Sequence, residues 1–200
     1  MREPTWKSYA VLLPEPILTP EQCEKIIRIG QTQPQTKGGL MKGPTPSHTI
    51  DYTYRKSTIS WIPFDLAPEI YGIIFNGMAT TNTNFFAFDD MQMNEPGQYA
   101  EYSKGDFYDW HIDIGVNMAP MPMVRKISMS ILLNDPKEFE GGEVEIFGGK
   151  FKDDTQHEHV QKLKQGQALF FASFHLHRIR PVISGTRKAL VMWFGGKPLK

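Results

Sequence analysis

The chain has 200 residues, with 22 Lys or Arg against 22 Asp or Glu and 6 His, so its formal charge near neutrality is zero. That balance excludes a global field that would recruit nucleic acid or anionic lipid. A single cysteine, Cys23, excludes an intrachain disulfide framework, and no stretch approaches the roughly 20 apolar residues of a membrane span.

The first element is a helix. Thr19 offers an N-cap hydroxyl, Pro20 suits the first helical position and Gln22 can close a capping box. Cys23, Ile26 and Ile27 follow as an apolar stripe, with Gly30 as the expected C-cap. From Pro34 to His48 the chain is rich in Gly, Pro, Thr and Lys and reads as a long mobile loop. A second helix is expected from about Ala67 to Phe75, with Ile70, Ile73 and Ile74 on one face. From Asn84 the texture changes to short β-prone runs: 85–88, 98–102, 108–113, 127–133, 143–147, 168–171, 175–179 and 189–194. Gly141-Gly142, Gly148-Gly149, Gly166 and Ser184-Gly185 supply turns between them.

About eight short strands preceded by two helices predict a mainly β fold with flanking helices. The expected architecture is a double-stranded β-helix, a cupin-like jelly roll, with the N-terminal helices bracing one sheet. One domain, 1–200, is expected, with N-terminal support over about 1–83 and a catalytic core over about 84–197. Met1-Arg2-Glu3-Pro4 opens no apolar run of signal-peptide length, so the expected location is the cytoplasm, with no membrane partner.

Within that frame His111-Ile-Asp113 is the most informative segment. Side chains at i and i+2 of an extended segment point the same way, and His177 brings a second imidazole from a distant strand. Two imidazoles and one carboxylate on one face leave the opposite face open, the two-His-one-carboxylate pattern of non-haem Fe(II) oxygenases. Ten residues after His177 stands Arg187, a permanent cation suited to clamping a carboxylate. His175 shares a strand face with His177, but the spacing to Arg187 favours His177 as ligand and puts His175 on the outer barrel or rim. His157 and His159 lie in a stretch polar on every side and read as a solvated hairpin, and His48 has no partner pattern.

Longer stretches carry a resemblance. Tyr102-Ser-Lys-Gly105-Asp-Phe-Tyr108-Asp-Trp-His111-Ile-Asp113 resembles the first metal-binding segment of prolyl 4-hydroxylases and the related bacterial and phage hydroxylases. Leu133-Asn134-Asp135, Phe139-Glu140-Gly141-Gly142-Glu143 and Phe174-His-Leu-His177-Arg178-Ile-Arg-Pro181-Val182, leading into Gly185-Thr186-Arg187, are similar to later segments of that family. Arg55-Lys-Ser57 and Trp61-Ile62-Pro63 are similar to its N-terminal half. The resemblance implies the same β-helix, Fe(II) on His111, Asp113 and His177, and 2-oxoglutarate and O2 as co-substrates, with ascorbate as an accessory. It implies hydroxylation of a prolyl residue in a peptide or protein, with release of succinate and CO2. Arg187 stands where the family holds the far carboxylate of 2-oxoglutarate, and Tyr102 matches a tyrosine of the same pocket. Ser128, Ser130 and Leu132 alternate on one strand face, with hydroxyls that either point into the barrel or fill space, and Ser130 is a candidate to share that work. Arg55 and Tyr108 resemble residues near the substrate, and Trp193 and Trp110 are candidates to line the site, with a core role open for each. Met118, Met121 and Met123 form a candidate apolar lip.

Two departures stand out. Collagen-type relatives carry lysine where Arg187 stands, and several relatives carry a threonine just after Gly-Gly-Glu, where this chain has Val144. Neither touches the metal triad. Besides peptide hydroxylation, two other functions stay open: the same chemistry on a free amino acid or other small molecule, and a non-catalytic jelly-roll binding protein.

Overall fold

Two helices and a wall of short strands are arranged so that alternate residues of each strand face different cores. In the computed structural model, the described residues are 10–38, 40–41, 50–51, 53–114, 124–150 and 156–197. In chain order the elements are β1 (Ala10–Leu12), α1 (Pro20–Thr32), β2 (Thr36–Gly38), β3 (Leu40–Met41), β4 (Ile50–Asp51), β5 (Arg55–Ile62) and α2 (Pro68–Thr81). There follow β6 (Gln92–Met93), β7 (Gly97–Ser103), β8 (Phe107–His111), β9 (Val124–Leu132), β10 (Phe139–Gly141) and β11 (Val144–Lys150). The chain continues through β12 (Gln156–Gln161), β13 (Ala168–Ala172), β14 (His177–Ile179) and β15 (Val182–Gly196).

The strands join in the order β1-β13-β9-β15-β7-β5-β8-β14-β11-β12, with β10 and β6 paired to β15 and β2 to β5. All of these pairings are antiparallel, and β5 is the corner, pairing with β8 through Arg55 and Lys56 and with β7 through Thr58 to Ile62. The sheet therefore folds over on itself, with β8, β14, β11 and β12 facing the larger half. This is the double-stranded β-helix that the strand pattern predicts.

Strand alternation sorts the two cores. Met129 and Ile131 of β9, Phe170 of β13, and Leu190, Met192 and Phe194 of β15 face Ile26, Ile27, Ile70, Ile74 and Met78 of the helices. Their sequence neighbours Leu132, Leu169, Phe171 and Ala100 turn the other way, into the barrel, with Tyr102, Val144, Ile146 and Ile179. Burying both faces of β9 and β15 makes a one-residue register slip costly, since it would exchange the two cores. That rigidity positions the site.

At α1 the capping box forms as expected: Gln22 N donates to Thr19 Oγ1 at 3.3 Å and Thr19 N to Gln22 Oε1 at 2.9 Å. Gly30, however, is not the C-cap, which is Gln33. Gly30 lies inside the helix because a Cβ there would meet the Tyr99 ring at 2.4 Å, so close helix–sheet packing explains it. The second helix runs further than Phe75, to Thr81. The strand expected at 85–88 is absent. Asn82–Phe86 is a π-helical turn ending at Ala87 in the left-handed region, φ 55°. The Asn82 amide causes this, accepting from Phe88 N at 2.9 Å and donating to Phe88 O at 2.8 Å, which turns the chain back and buries Phe86. Within the stretch read as a loop, Thr36–Gly38 pairs with β5, and β3 pairs with β4. Residues 39 and 42–49 lie outside the described residues, as does the Met118–Met123 lip.

Candidate active site

β8 and β14 pair antiparallel, with a register shift between His177 and Ile179, and His111 and His177 stand directly opposite each other. Asp113 follows two residues after His111, just beyond the strand end, where its N–H and that of Ile114 donate to Ser173 O at 2.8 and 3.1 Å. That turn brings its carboxylate back between the imidazoles. His111 Nε2 lies 3.7 Å from Asp113 Oδ1 and His177 Nε2 lies 3.5 Å from Asp113 Oδ2. The three ligand atoms all lie within 4.8 Å of one another, the one such group among the described residues.

The surroundings fix the protonation state. His111 Nδ1 donates to Asp109 O at 2.7 Å and His177 Nδ1 to His175 O at 2.9 Å. Both Nε2 atoms are thereby left as lone-pair donors aimed at one point. Burial, with His177 close by, pushes the His111 pKa down to about 3, so its imidazole is neutral near pH 7. Burial alone would raise the pKa of Asp113. The facing His177 and His111 and the hydrogen bond from Ser128 outweigh it and hold the carboxyl below its ordinary value. Two imidazoles and one carboxylate are the donor set that Fe(II) takes in an open three-ligand face.

Behind the carboxylate stands a pair of hydroxyls. Ser128 Oγ donates to Asp113 Oδ2 at 2.6 Å and lies 2.9 Å from Ser173 Oγ, with both serines fully buried. Ser128 is legible as an inward strand position, whereas Ser173 has no signal beyond its place before Phe174. His175 stands outside the triad. Its Nε2 bonds Phe147 O at 2.7 Å, which ties the turn before β14 to β11.

The triad opens into a cavity of about 230 Å³ lined also by Arg55, Tyr102, Tyr108, Ser130, Val144, Arg187 and Trp193. Apart from Trp110 and the Met118–Met123 lip, the latter outside the described residues, every sequence-predicted site residue lines this space. Arg187 sits on β15 opposite Tyr102, with its guanidinium carbon 5.8 Å from the phenol ring centre, and is 3% exposed. Among the described residues no carboxylate pairs with it. Burial lowers its pKa, while Tyr102 and Glu143 act in the opposite sense. Ser130 Oγ, buried in the same wall, has no hydrogen-bond partner among the described residues. An unpaired buried cation and an orphaned hydroxyl in one pocket are costly unless an anionic, hydrogen-bonding ligand completes them. The donor set therefore fits a bound carboxylate. Val144, fully buried, contributes only apolar surface.

At the cavity mouth, Tyr108 stacks on His111 with ring centres 3.4 Å apart, and Arg55 lies 4.6 Å above the same phenol. Arg55 is itself held by Gln98 Oε1 at 2.8 Å and Ser57 Oγ at 3.0 Å. Trp193 is sandwiched between Arg125, 3.9 Å from its ring, and Trp61. Its buried indole N–H completes no hydrogen bond among the described residues, although it lies close enough to Asp113 to favour the ionised carboxylate. Arg125, missed in the sequence, is fixed by Glu95 in a bidentate pair. Trp110 points away from the cavity, packing on Phe147 and Arg178. The side chains of His157 and His159 lie outside the described residues, although β12 carries both.

Residues 97–195 match the model of the 2OG-Fe(II) oxygenase superfamily, a span that contains every residue of the triad and Arg187. A PKHD-type hydroxylase of Stenotrophomonas maltophilia is 38% identical over 100 residues, 49% of this chain and 42% of the relative. One from Shewanella baltica is 32% identical over 99 residues, with the same shares. The match thus spans less than half the length of these curated relatives. Among solved structures, a viral collagen prolyl hydroxylase of Paramecium bursaria chlorella virus 1, in complex with 2OG, has TM-score 0.66 at 21% identity, covering 95% of this chain and 97% of its own. A Trichoplax adhaerens prolyl hydroxylase bound to a hypoxia-inducible-factor peptide has TM-score 0.69 at 15% identity, covering 94% and 84%. These likenesses carry the fold. Residues 97–195, with the His111, Asp113 and His177 triad inside them, thus match the 2OG-Fe(II) oxygenase superfamily.

Proposed function

We propose that the protein is an Fe(II)- and 2-oxoglutarate-dependent dioxygenase that hydroxylates a prolyl residue in a peptide or protein. The observation that carries this reading is one cavity holding an open metal-ligand face and a buried Arg187 that no carboxylate among the described residues pairs. Fe(II) held by His111, Asp113 and His177 would supply O2 activation coupled to oxidative decarboxylation of 2-oxoglutarate. The overall balance is substrate C–H, O2 and 2-oxoglutarate in; substrate C–OH, succinate and CO2 out.

The chain's own residues do the binding and orientation. Arg187 takes the far carboxylate of 2-oxoglutarate, and Ser130 and Tyr102 donate hydrogen bonds within the same pocket. The backbone carbonyls of Asp109 and His175 hold the imidazoles in the tautomer that presents Nε2. Ser128 and Ser173 hold Asp113 ionised and oriented. Leu132, Val144, Ile179 and Phe171 exclude water around the co-substrate. Arg55, Tyr108 and Trp193 form a rim of cationic and aromatic groups that suits a peptide backbone carbonyl and a proline ring. The names of the relatives, PKHD-type hydroxylase and prolyl hydroxylase, support the prolyl assignment. Mass spectrometry of proline-rich peptides and of free amino acids, each incubated with Fe(II), 2-oxoglutarate and O2, tests it. A peptide gaining one oxygen at proline, with free proline unchanged, is the expected result. Turnover of free proline as fast as any peptide would replace the peptide reading with a small-molecule one.

A further inference from the structure

We infer that Asn134 is the positioning residue that sets Arg187 in the co-substrate pocket. Arg187 stands on β15 where β9, the partner strand, has just ended at Leu132. The ladder therefore stops short of it: the last paired residue is Ala189, opposite Leu132, after which Leu133 N donates to Lys188 O at 2.9 Å. The Asn134 side chain continues the ladder in its place. Its Nδ2 donates to Thr186 O at 2.9 Å, and its Oδ1 accepts from Lys188 N at 2.8 Å. Both bonds are made to the residues flanking Arg187, one on each side. Asn134 is 1% exposed, so neither bond is replaced by water if it is lost.

The other wall of the arginine is backbone. A Cβ at Gly142 would meet Arg187 Cδ at 2.9 Å and Val182 Cγ2 at 3.0 Å, so the side-chain stem lies against a residue without one. Held by the Asn134 amide at its own backbone and by Gly142 along its stem, Arg187 keeps one rotamer although no carboxylate among the described residues pairs with it. A cation pre-set in this way binds a carboxylate without an ordering cost, which is where affinity is gained. Asn134 belongs to the Leu133-Asn134-Asp135 segment, for which the catalytic roles above give no use.

This inference rests on the proposed role of Arg187 toward 2-oxoglutarate, and its test separates the two. Isothermal titration of 2-oxoglutarate into Mn(II)-loaded protein under anaerobic conditions reads affinity without turnover. Asn134→Ala should weaken 2-oxoglutarate binding about tenfold or more while Mn(II) affinity stays within about twofold, and steady-state assays should show the change in KM rather than kcat. Gln165→Ala is the structural control, since Gln165 Nε2 donates to Leu133 O at 2.9 Å beside this site without touching the flanks of Arg187. It should leave 2-oxoglutarate affinity unchanged. If Asn134→Ala does not fold, Asn134→Asp, which keeps the shape and the acceptor for Lys188 N but not the donor to Thr186 O, gives the same readout. An unchanged affinity in the Asn134 variant, or an equal loss in Gln165→Ala, overturns the positioning role. An unchanged affinity in Arg187→Met overturns the co-substrate reading itself.

Discussion

Replacing Arg187 with Met removes a buried charge that, among the described residues, has no anionic partner. Two consequences follow with opposite signs. In the free protein the variant should be as stable as the parent or more so, because burying an unpaired guanidinium is unfavourable and Met fills much of the same volume. With 2-oxoglutarate present, its far carboxylate would be buried without a cation, a one-sided loss of roughly 3–5 kcal/mol, or about two to three and a half decades in Kd. Thermal unfolding of Mn(II)-loaded protein reads both effects. At a ligand concentration about 100 times the parent Kd, linkage adds about 2.7 kcal/mol. For a chain of 200 residues that is a rise of about 5–11 °C, at about 2–4 °C per kcal/mol. At the same concentration the variant should gain about 1–2 °C or less. A variant that loses several degrees when free, or keeps the full ligand-induced rise, would refute the reasoning.

Further outcomes follow from the metal face. His111→Ala and Asp113→Ala should abolish both Mn(II) binding and succinate formation while the unfolding transition stays cooperative, which calorimetry and product analysis check together. Ser128→Ala removes the 2.6 Å hydrogen bond to Asp113 Oδ2 and should weaken Mn(II) binding by about 10–100-fold, measured by electron paramagnetic resonance. The metal-free protein should lose stability in acid. The folded His111 pKa, about 3, lies below the unfolded value near 6.5. Its contribution is therefore complete above about pH 6.5 and is lost as pH falls toward 3, with Asp113 adding in the same sense at the acid end. Denaturant midpoints measured across that range should fall with pH, and less steeply in His111→Asn.

Much of the site was legible because its chemistry depends on residue types at fixed spacing. His111 and Asp113 sit two apart at a strand end, and His177 comes from a distant strand, as the sequence suggests, although the register that sets it opposite His111 appears only in the folded chain. The inward alternation of Ser128, Ser130 and Leu132 was equally readable, since strand faces repeat every two residues. What escaped depends on contacts that no local pattern encodes. β5, eight residues long, gave no strong strand signal, yet it forms the corner of the barrel by pairing with β7 and β8. Gly30 read as a helix stop because only its packing against Tyr99 reveals why a glycine is there. Phe85 to Phe88 had strand composition, but the Asn82 amide and the burial of Phe86 bent it into a π-turn, a tertiary override of local propensity. Ser173 and Arg125 reach the site from turns and strand starts whose positions only the folded chain defines.

Incorporation of isotopically labelled dioxygen into both products tests the central claim most directly. In a reaction with Fe(II), unlabelled 2-oxoglutarate and a proline-containing peptide, one labelled atom should appear in succinate and one in the hydroxylated peptide, with CO2 released in equal amount. Both should be lost in Asp113→Ala. Succinate without label, or a hydroxyl oxygen that comes from water, would contradict the account.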